Sequence, residues 1–378
     1  MATPTPPATA SRLVAIDQLR GLVMMLMTID HAGGAYNAGH LVTDAAGMYR
    51  PGTALPLGQF LTRWITHLCA PTFVFLAGVA LSLSVTRRLR AGESGRNIDR
   101  FIATRGLLLI LLEPLWVSLF FVPGNVLFQV LYAIGMSFLF MMALRRVSTG
   151  WLLGLGLGIT VFAEALAGLL RGVSGGLPLG LPAGLLLTGG FFFRHLIIGY
   201  PVLPWLSLML LGWALGRHLG EGRPLRPLPV AATGAALLGV FALMRGLNQY
   251  GNYRLLRDDA SLVQWLHVSK YPPSLTFITL ELGLSALCLA VLLALGRRGL
   301  GESAPLRVLR TFGQTALFFY LLHIPLLFLP AYALGLQHRY GLGATYLATG
   351  LALIVLYPLC RRYRAYKTAH PSGWTRYV

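Results

Sequence analysis

A chain of 378 residues that is 56% hydrophobic and only 11% charged lies far from the roughly 25% charged residues of soluble domains, so a soluble fold is excluded. Its 31 lysines and arginines against 12 acidic residues give a formal charge of +19. They fall in short loops between apolar runs and do not interleave with aromatics along a groove, which argues against nucleic-acid binding.

In chain order, residues 1–11 read as a disordered lead-in without the basic start of a signal peptide, and the first apolar run carries Asp17 and Arg20. Apolar runs then predict helices at 13–34, 61–86, 101–122, 125–144, 150–170, 200–217, 228–245, 275–296, 312–334 and 341–360. The expected fold is therefore an all-α, polytopic transmembrane bundle of about ten spans, one domain over 12–367, with a short cytoplasmic tail at 368–378. The Gly/Pro-rich stretch 172–199 leaves room for a re-entrant or eleventh segment, although Arg194, His195 and the glycines favour an outer loop. Gly154, Gly156 and Gly158 permit close helix packing and need no nucleotide, because no strand precedes them.

Arginine recurs on alternate loops, as in Arg87, Arg88, Arg90, Arg145, Arg146, Arg217, Arg297, Arg298 and Arg361. The positive-inside rule then puts both termini in the cytoplasm and the long 35–60 and 246–274 loops outside. The basic excess is mainly this topology signal, with a second role open in attracting anionic head groups or an anionic cofactor.

An ionisable residue within a span costs about 2.5–3.5 kcal/mol on insertion scales, so such residues mark a cavity, a partner or a substrate path. Asp17 and Arg20 share a face near one end of the first helix, where they neutralise each other or hold a phosphate-bearing donor. Asp30 and His31 lie near the other end, about 20 Å along the axis, where a carboxylate can orient and charge a histidine. Arg63 and His67 share a face of the second helix at a matching depth. Glu113, followed by Pro114, sits centrally in the third helix as a structural or relay residue, and His323 near the middle of the ninth is a cavity or interhelical residue. Cys69, Cys288 and Cys360 show no paired spacing and read as core residues; no His-Glu-x-x-His motif points to a metal and no Gly-x-Ser-x-Gly elbow to a serine hydrolase. Histidine-centred acid–base or acyl-transfer chemistry in a membrane cavity remains.

At these residues the chain resembles the bacterial branch of the heparan-alpha-glucosaminide N-acetyltransferase family of membrane acyltransferases. The stretches that carry the likeness are RLVAIDQLRGLVMMLMTIDH at 12–31, RWITHLCAPTFVFLAG at 63–78, YPVLPWLSLMLLGWALG at 200–216, KYPPSLTFITLELG at 270–283, TFGQTALFFYLLHIPL at 311–326 and the YPLCRRYRAYK tail. The resemblance implies transfer of an acetyl group from cytoplasmic acetyl-CoA to an amino sugar across the membrane, with a histidine implicated. By spacing, the family's catalytic histidine has its nearest counterpart in His40; an Asn-Tyr pair of the family is Asp30-His31 here, and an aspartate stands at the place of His67.

The sequence thus leads to an acyltransferase of the bacterial inner membrane, with acyl-CoA, a sugar or glycolipid acceptor and lipids as partners, no nucleic acid, no metal, and a homodimer left open. His67 is the first choice as general base or acyl carrier, with His31, Asp30 and His40 as the other catalytic candidates. Asp17 and Arg20 are expected at the donor, and Arg63, His323 and Glu113 along the cavity. A proton-coupled transporter or flippase is the rival reading, using the same charges without making a product.

Overall fold

The computed structural model describes residues 8–175, 179–370 and 373. Helix α1 (Ala8–Tyr36) begins inside the expected lead-in; 1–7 of that lead-in, and 371–372 and 374–378 of the expected tail, lie outside the described residues. Next come α2 (Leu57–Thr66) and α3 (Cys69–Arg90), one apolar rod broken at His67–Leu68. Pro71 accounts for the break, since it has no N–H for the His67 carbonyl four residues back and its ring crowds that carbonyl.

Ser94 caps α4 (Gly95–Leu112) by accepting from the Asn97 N–H at 3.3 Å. A π-turn, Glu113–Val117, then leads into α5 (Ser118–Phe121). Pro114 opens this wider turn because it cannot donate to the Ile110 carbonyl. There follow α6 (Val130–Leu144), α7 (Thr149–Val173), the short α8 (Leu181–Ala183), α9 (Val202–Gly220) and α10 (Pro227–Leu247). The chain ends with α11 (Leu262–Leu266), α12 (Leu275–Arg297), α13 (Ala304–Gln314), α14 (Ala316–Ala333) and α15 (Leu342–Ala369).

Eight helical segments among the described residues are long and apolar enough to cross a membrane, and they coincide with eight of the ten expected spans. The other two expected spans are α1, which carries Asp17, Arg20 and Asp30, and α6, which has only 15 residues. Leu107, Leu111, Leu115 and Leu119 form a stripe at four-residue spacing, each more than half exposed. Such a stripe suits hydrocarbon as solvent and not water.

The closest helix contacts occur at glycines other than those the sequence singled out. A Cβ at Gly212 of α9 would fall 1.9 Å from the Phe75 carbonyl oxygen of α3, and one at Gly313 of α13 1.8 Å from that of Asp17 in α1. Backbones can meet this closely only where no side chain intervenes. Around Gly154 and Gly158 there is nothing within 4 Å, so of the expected glycine stripe only Gly156 meets a neighbour, the Ser207 carbonyl of α9 at 3.2 Å.

The bundle is not purely helical. Strands β1 (Val126–Phe128), β2 (Gly190–Phe192) and β3 (Leu196–Ile198) form a sheet in the order β1-β3-β2, with β1 parallel and β2 antiparallel to β3. Of 172–199, the described part thus forms short helical turns and a hairpin rather than an eleventh long helix. The hairpin reverses at Phe193 and Arg194, both at positive φ.

Loop contacts gather at two ends. At the arginine-rich end, Arg90 donates to the Gly220 carbonyl, Arg217 to those of Arg145 and Val147, and Gln18 to that of Gly301. At the opposite end, the Lys270 N–H donates to the Asp44 carbonyl, the Tyr340 N–H to that of Tyr36, and Thr62 bonds Tyr346. Arg245, fully buried, clamps the 248–274 loop through Asn252 and the carbonyls of Leu255, Gln264 and His267.

Candidate active site

Three cavities follow one another through the bundle. The first, about 210 Å³, opens near the arginine-rich end and is lined by Arg20, Arg105 and Lys367 above an apolar wall that includes Phe73, Val130 and Tyr320. Those last three residues also line a neck of about 30 Å³, whose remaining walls include Asp30, His31, Gln129, Tyr200 and Lys270. These five in turn line the third cavity, about 540 Å³, which reaches the opposite end between the 37–56 loop, the β-sheet and the 267–274 segment. The shared residues set the three end to end, a candidate path through the bundle.

The charged core of the site is built by Arg63. Its Nε donates to Asp44 Oδ2 at 2.9 Å, its Nη2 bonds the same oxygen, and its Nη1 bonds Asp30 Oδ1. A guanidinium suits this task because its planar fork serves two carboxylates at once. Thr66 adds a hydrogen bond to Asp30 Oδ1 at 3.2 Å. Burial alone would push the Asp44 carboxyl up, but the Arg63 guanidinium and His67 hold it well below the usual carboxylate range.

His31 Nδ1 lies 2.7 Å from His323 Nε2. His323 Nδ1 is 2.7 Å from the Tyr320 carbonyl, an acceptor only, so in the neutral ring Nδ1 carries the proton and Nε2 accepts from His31 Nδ1–H. That assignment leaves the His31 Nε2 lone pair unused on a residue that lines the neck and the third cavity. The α14 segment is shaped for this contact. Pro325 cannot donate to the Leu321 carbonyl, which takes the Trp116 indole N–H at 2.8 Å instead.

His40 also lines the third cavity, packed beside Gly33, where a Cβ would come within 2.9 Å of its Nδ1. Burial pushes its imidazole below its ordinary value, against the opposing pull of Asp30. His67 shares the depth expected of it but lines neither neck nor cavity. It is 2% exposed, with Nε2 3.4 Å from Asp44 Oδ1 and its ring edge-on to Phe277.

Asp17 and Arg20 pair at 3.0 Å; Arg20 also donates to the Gly313 carbonyl and Asp17 accepts from Gln314, so the pair fastens α1 to α13 while Arg20 lines the first cavity. Glu113 lines none of the three cavities. Its Oε2 accepts from the Tyr132 N–H at 2.8 Å, in the first turn of α6, where a helix end welcomes a carboxylate. It thereby fixes the start of α6, which supplies Val130 to the neck.

Sequence reasoning missed Asp44 and Lys270. Asp44 was one loop carboxylate of only 12 acidic residues in the chain, a scarcity that was a usable signal. Lys270 falls in the long 246–274 loop that the sequence puts outside, yet it is 4% exposed. Among the described residues no three His, Cys, Asp or Glu gather as a metal site.

The family described as heparan-alpha-glucosaminide N-acetyltransferase, catalytic, has a model that matches residues 12–244, well over half of the chain. The chain belongs to that family. It is an integral membrane acyltransferase. A search among curated proteins gives no match. In this N-acetyltransferase family member, Arg63, Asp30, His31 and His40 lie inside the matched segment, while Lys270, which lines the neck from the loop before α12, and His323, which bonds His31 from α14, lie beyond it.

Proposed function

We propose that the enzyme carries an acyl group, acetyl by family, from acyl-CoA bound at the arginine-rich end to a sugar or glycolipid acceptor in the third cavity, with the arginine-rich end cytoplasmic. The observation that carries this reading is the row of adjoining cavities, from the one lined by Arg20, Arg105 and Lys367, past the shared Phe73, Val130 and Tyr320, to the neck lined by His31. Phosphates of the donor meet the cationic mouth, which attracts them by charge. The thioester reaches the neck, and the acceptor enters from the opposite end.

His31 Nε2 then takes the proton from the acceptor amine or hydroxyl as that group attacks the carbonyl carbon. The C–S bond breaks and the CoA sulfur leaves with the proton that His31 held. His31 is favoured over His67 because it lines the neck and has a nitrogen left free by His323, and over His40 because it reaches the neck as well as the third cavity. His67 supports the Arg63–Asp44 pair from behind.

Purified protein incubated with labelled acetyl-CoA and a panel of amino sugars tests the reading. Label transferred to at least one sugar, dependent on His31, is the expected result. Binding of acetyl-CoA no better than that of an unrelated membrane protein rejects it in favour of transport, in which the buried charges serve a relay and form no product.

A further inference from the structure

Lys270 sits where the neck opens into the third cavity and lines both, beside Asp30 and His31. Its chain segment is pinned there by the Lys270 and Tyr271 N–H groups, which donate to the Asp44 carbonyl at 2.8 and 3.2 Å. The side chain is only 4% exposed, yet its ammonium makes no hydrogen bond or ion pair with a described residue; Nζ stands 5.3 Å from the Tyr271 ring centroid. A buried ammonium without a carboxylate of its own is costly to keep. Arg63 does not share the task, because it is committed to Asp30 and Asp44 and does not line the neck. Among the described residues lining the neck, Lys270 is the only lysine or arginine.

We infer that Lys270 is a catalytic residue that stabilises the oxyanion formed on the acyl carbonyl during transfer. The inference rests on the acyl-CoA reading above. As the acceptor's lone pair bonds to the carbonyl carbon, the C=O electron pair moves onto oxygen, and the Lys270 ammonium faces that new charge. When the pair returns, the C–S bond breaks, and the thiolate takes the proton that His31 received from the acceptor. A preplaced cation serves this step best where water is scarce, as in a neck of about 30 Å³.

Two CoA thioethers test it on the full-length protein in detergent. S-carboxymethyl-CoA places a carboxylate beside the sulfur, and S-ethyl-CoA places none. The parent should bind the first at least about tenfold more tightly, and Lys270→Met should lose that preference while keeping its affinity for S-ethyl-CoA. In turnover with acetyl-CoA and glucosamine, Lys270→Met should lower kcat by about a hundredfold or more with both KM values nearly unchanged; Lys270→Arg should restore part of it. If Lys270→Met does not fold, Lys270→Gln takes its place in both assays. A preference that survives the substitution overturns the inference, as does a raised KM for glucosamine at unchanged kcat, which would make Lys270 an acceptor-binding residue. A parent that binds both thioethers equally rejects the role of Lys270 alone, and one that binds neither rejects the acyl-CoA reading itself. If glucosamine is not acylated, the thioether comparison decides.

Discussion

His31 Nδ1 and His323 Nε2 lie 2.7 Å apart, and the two rings are within 15° of coplanar with centroids 4.9 Å apart. This is a side-by-side hydrogen-bonded pair rather than a face-to-face stack. His323 comes from α14 and His31 from α1, so the contact ties helices from the two ends of the chain to one site and leaves Nε2 as the free His31 nitrogen.

His31→Ala should therefore abolish turnover, a loss of at least about a hundredfold for a general base, with acetyl-CoA affinity unchanged. His67→Ala should keep turnover within about tenfold of the parent while lowering the apparent Tm, since His67 touches Asp44 and not the path. Steady-state rates alongside thermal unfolding of both variants distinguish the two. An inactive, stable His67→Ala beside an active His31→Ala reverses the assignment.

His323→Gln should act on His31 without touching substrate. A glutamine can donate or accept in place of either nitrogen but does not enforce the same tautomer. The expected outcome is a lower kcat and a displaced acidic limb of the kcat–pH profile, with KM for acetyl-CoA unchanged. An unaltered profile at reduced kcat points to packing alone.

The spans were legible because an apolar run about 20 residues long says where a helix must lie in lipid. Depth was legible too, as Asp30, His31 and His67 share a level. Rotation about the helix axis was not, and it decides that His31 faces the path while His67 lies behind Asp44. The three-residue strands carry no period to read. Lys270 and Arg245 look like ordinary loop cations, since their burial depends on how the 37–56 and 248–274 loops fold over the bundle.

Glycine contacts give a prediction free of the chemistry. Gly313→Ala drives a methyl to 1.8 Å from the Asp17 carbonyl oxygen and should separate α1 from α13, with a large fall in apparent Tm and loss of folded yield. Gly158→Ala meets nothing within 4 Å and should be neutral or stabilising by up to about 1 kcal/mol, the helix propensity gained. Thermal scans of the two in one detergent make the comparison. Equal behaviour would remove the claimed close approach.

Acidification should loosen the loops at the far end. Burial lowers the imidazoles of His40 and His267 below their ordinary 6.5, and the Thr43 carbonyl, 2.9 Å from His267 Nε2, only partly offsets this. As pH falls through 6.5 the unfolded chain takes up protons that the folded loops do not, so this contribution is largest above 6.5 and declines below it. Asp44, held below 3.8, adds its dependence only at lower pH. Apparent Tm should drop between pH 7 and 5, and less so in the His40→Gln/His267→Gln double variant. An equal drop in parent and double variant rules these two groups out as its source.

Arg63 should be the least replaceable side chain of the site. It is 8% exposed and compensates two carboxylates, Asp30 from α1 and Asp44 from the following loop, so Arg63→Met leaves both without their guanidinium partner. Removing one partner of a buried ion pair costs about 3–5 kcal/mol. Arg63→Lys keeps the charge but replaces a planar fork with a single ammonium, which cannot reproduce both contacts, so an intermediate loss is expected. The decisive comparison is the double variant Arg63→Met/Asp44→Asn. Neutralising Asp44 removes part of the stranded charge, so the double variant should unfold at a higher temperature than Arg63→Met alone, although each single change is destabilising. Coupling of about 1 kcal/mol or more in that cycle supports the network. If the two losses simply add, Arg63 and Asp44 act independently and the charged core described for this site is wrong.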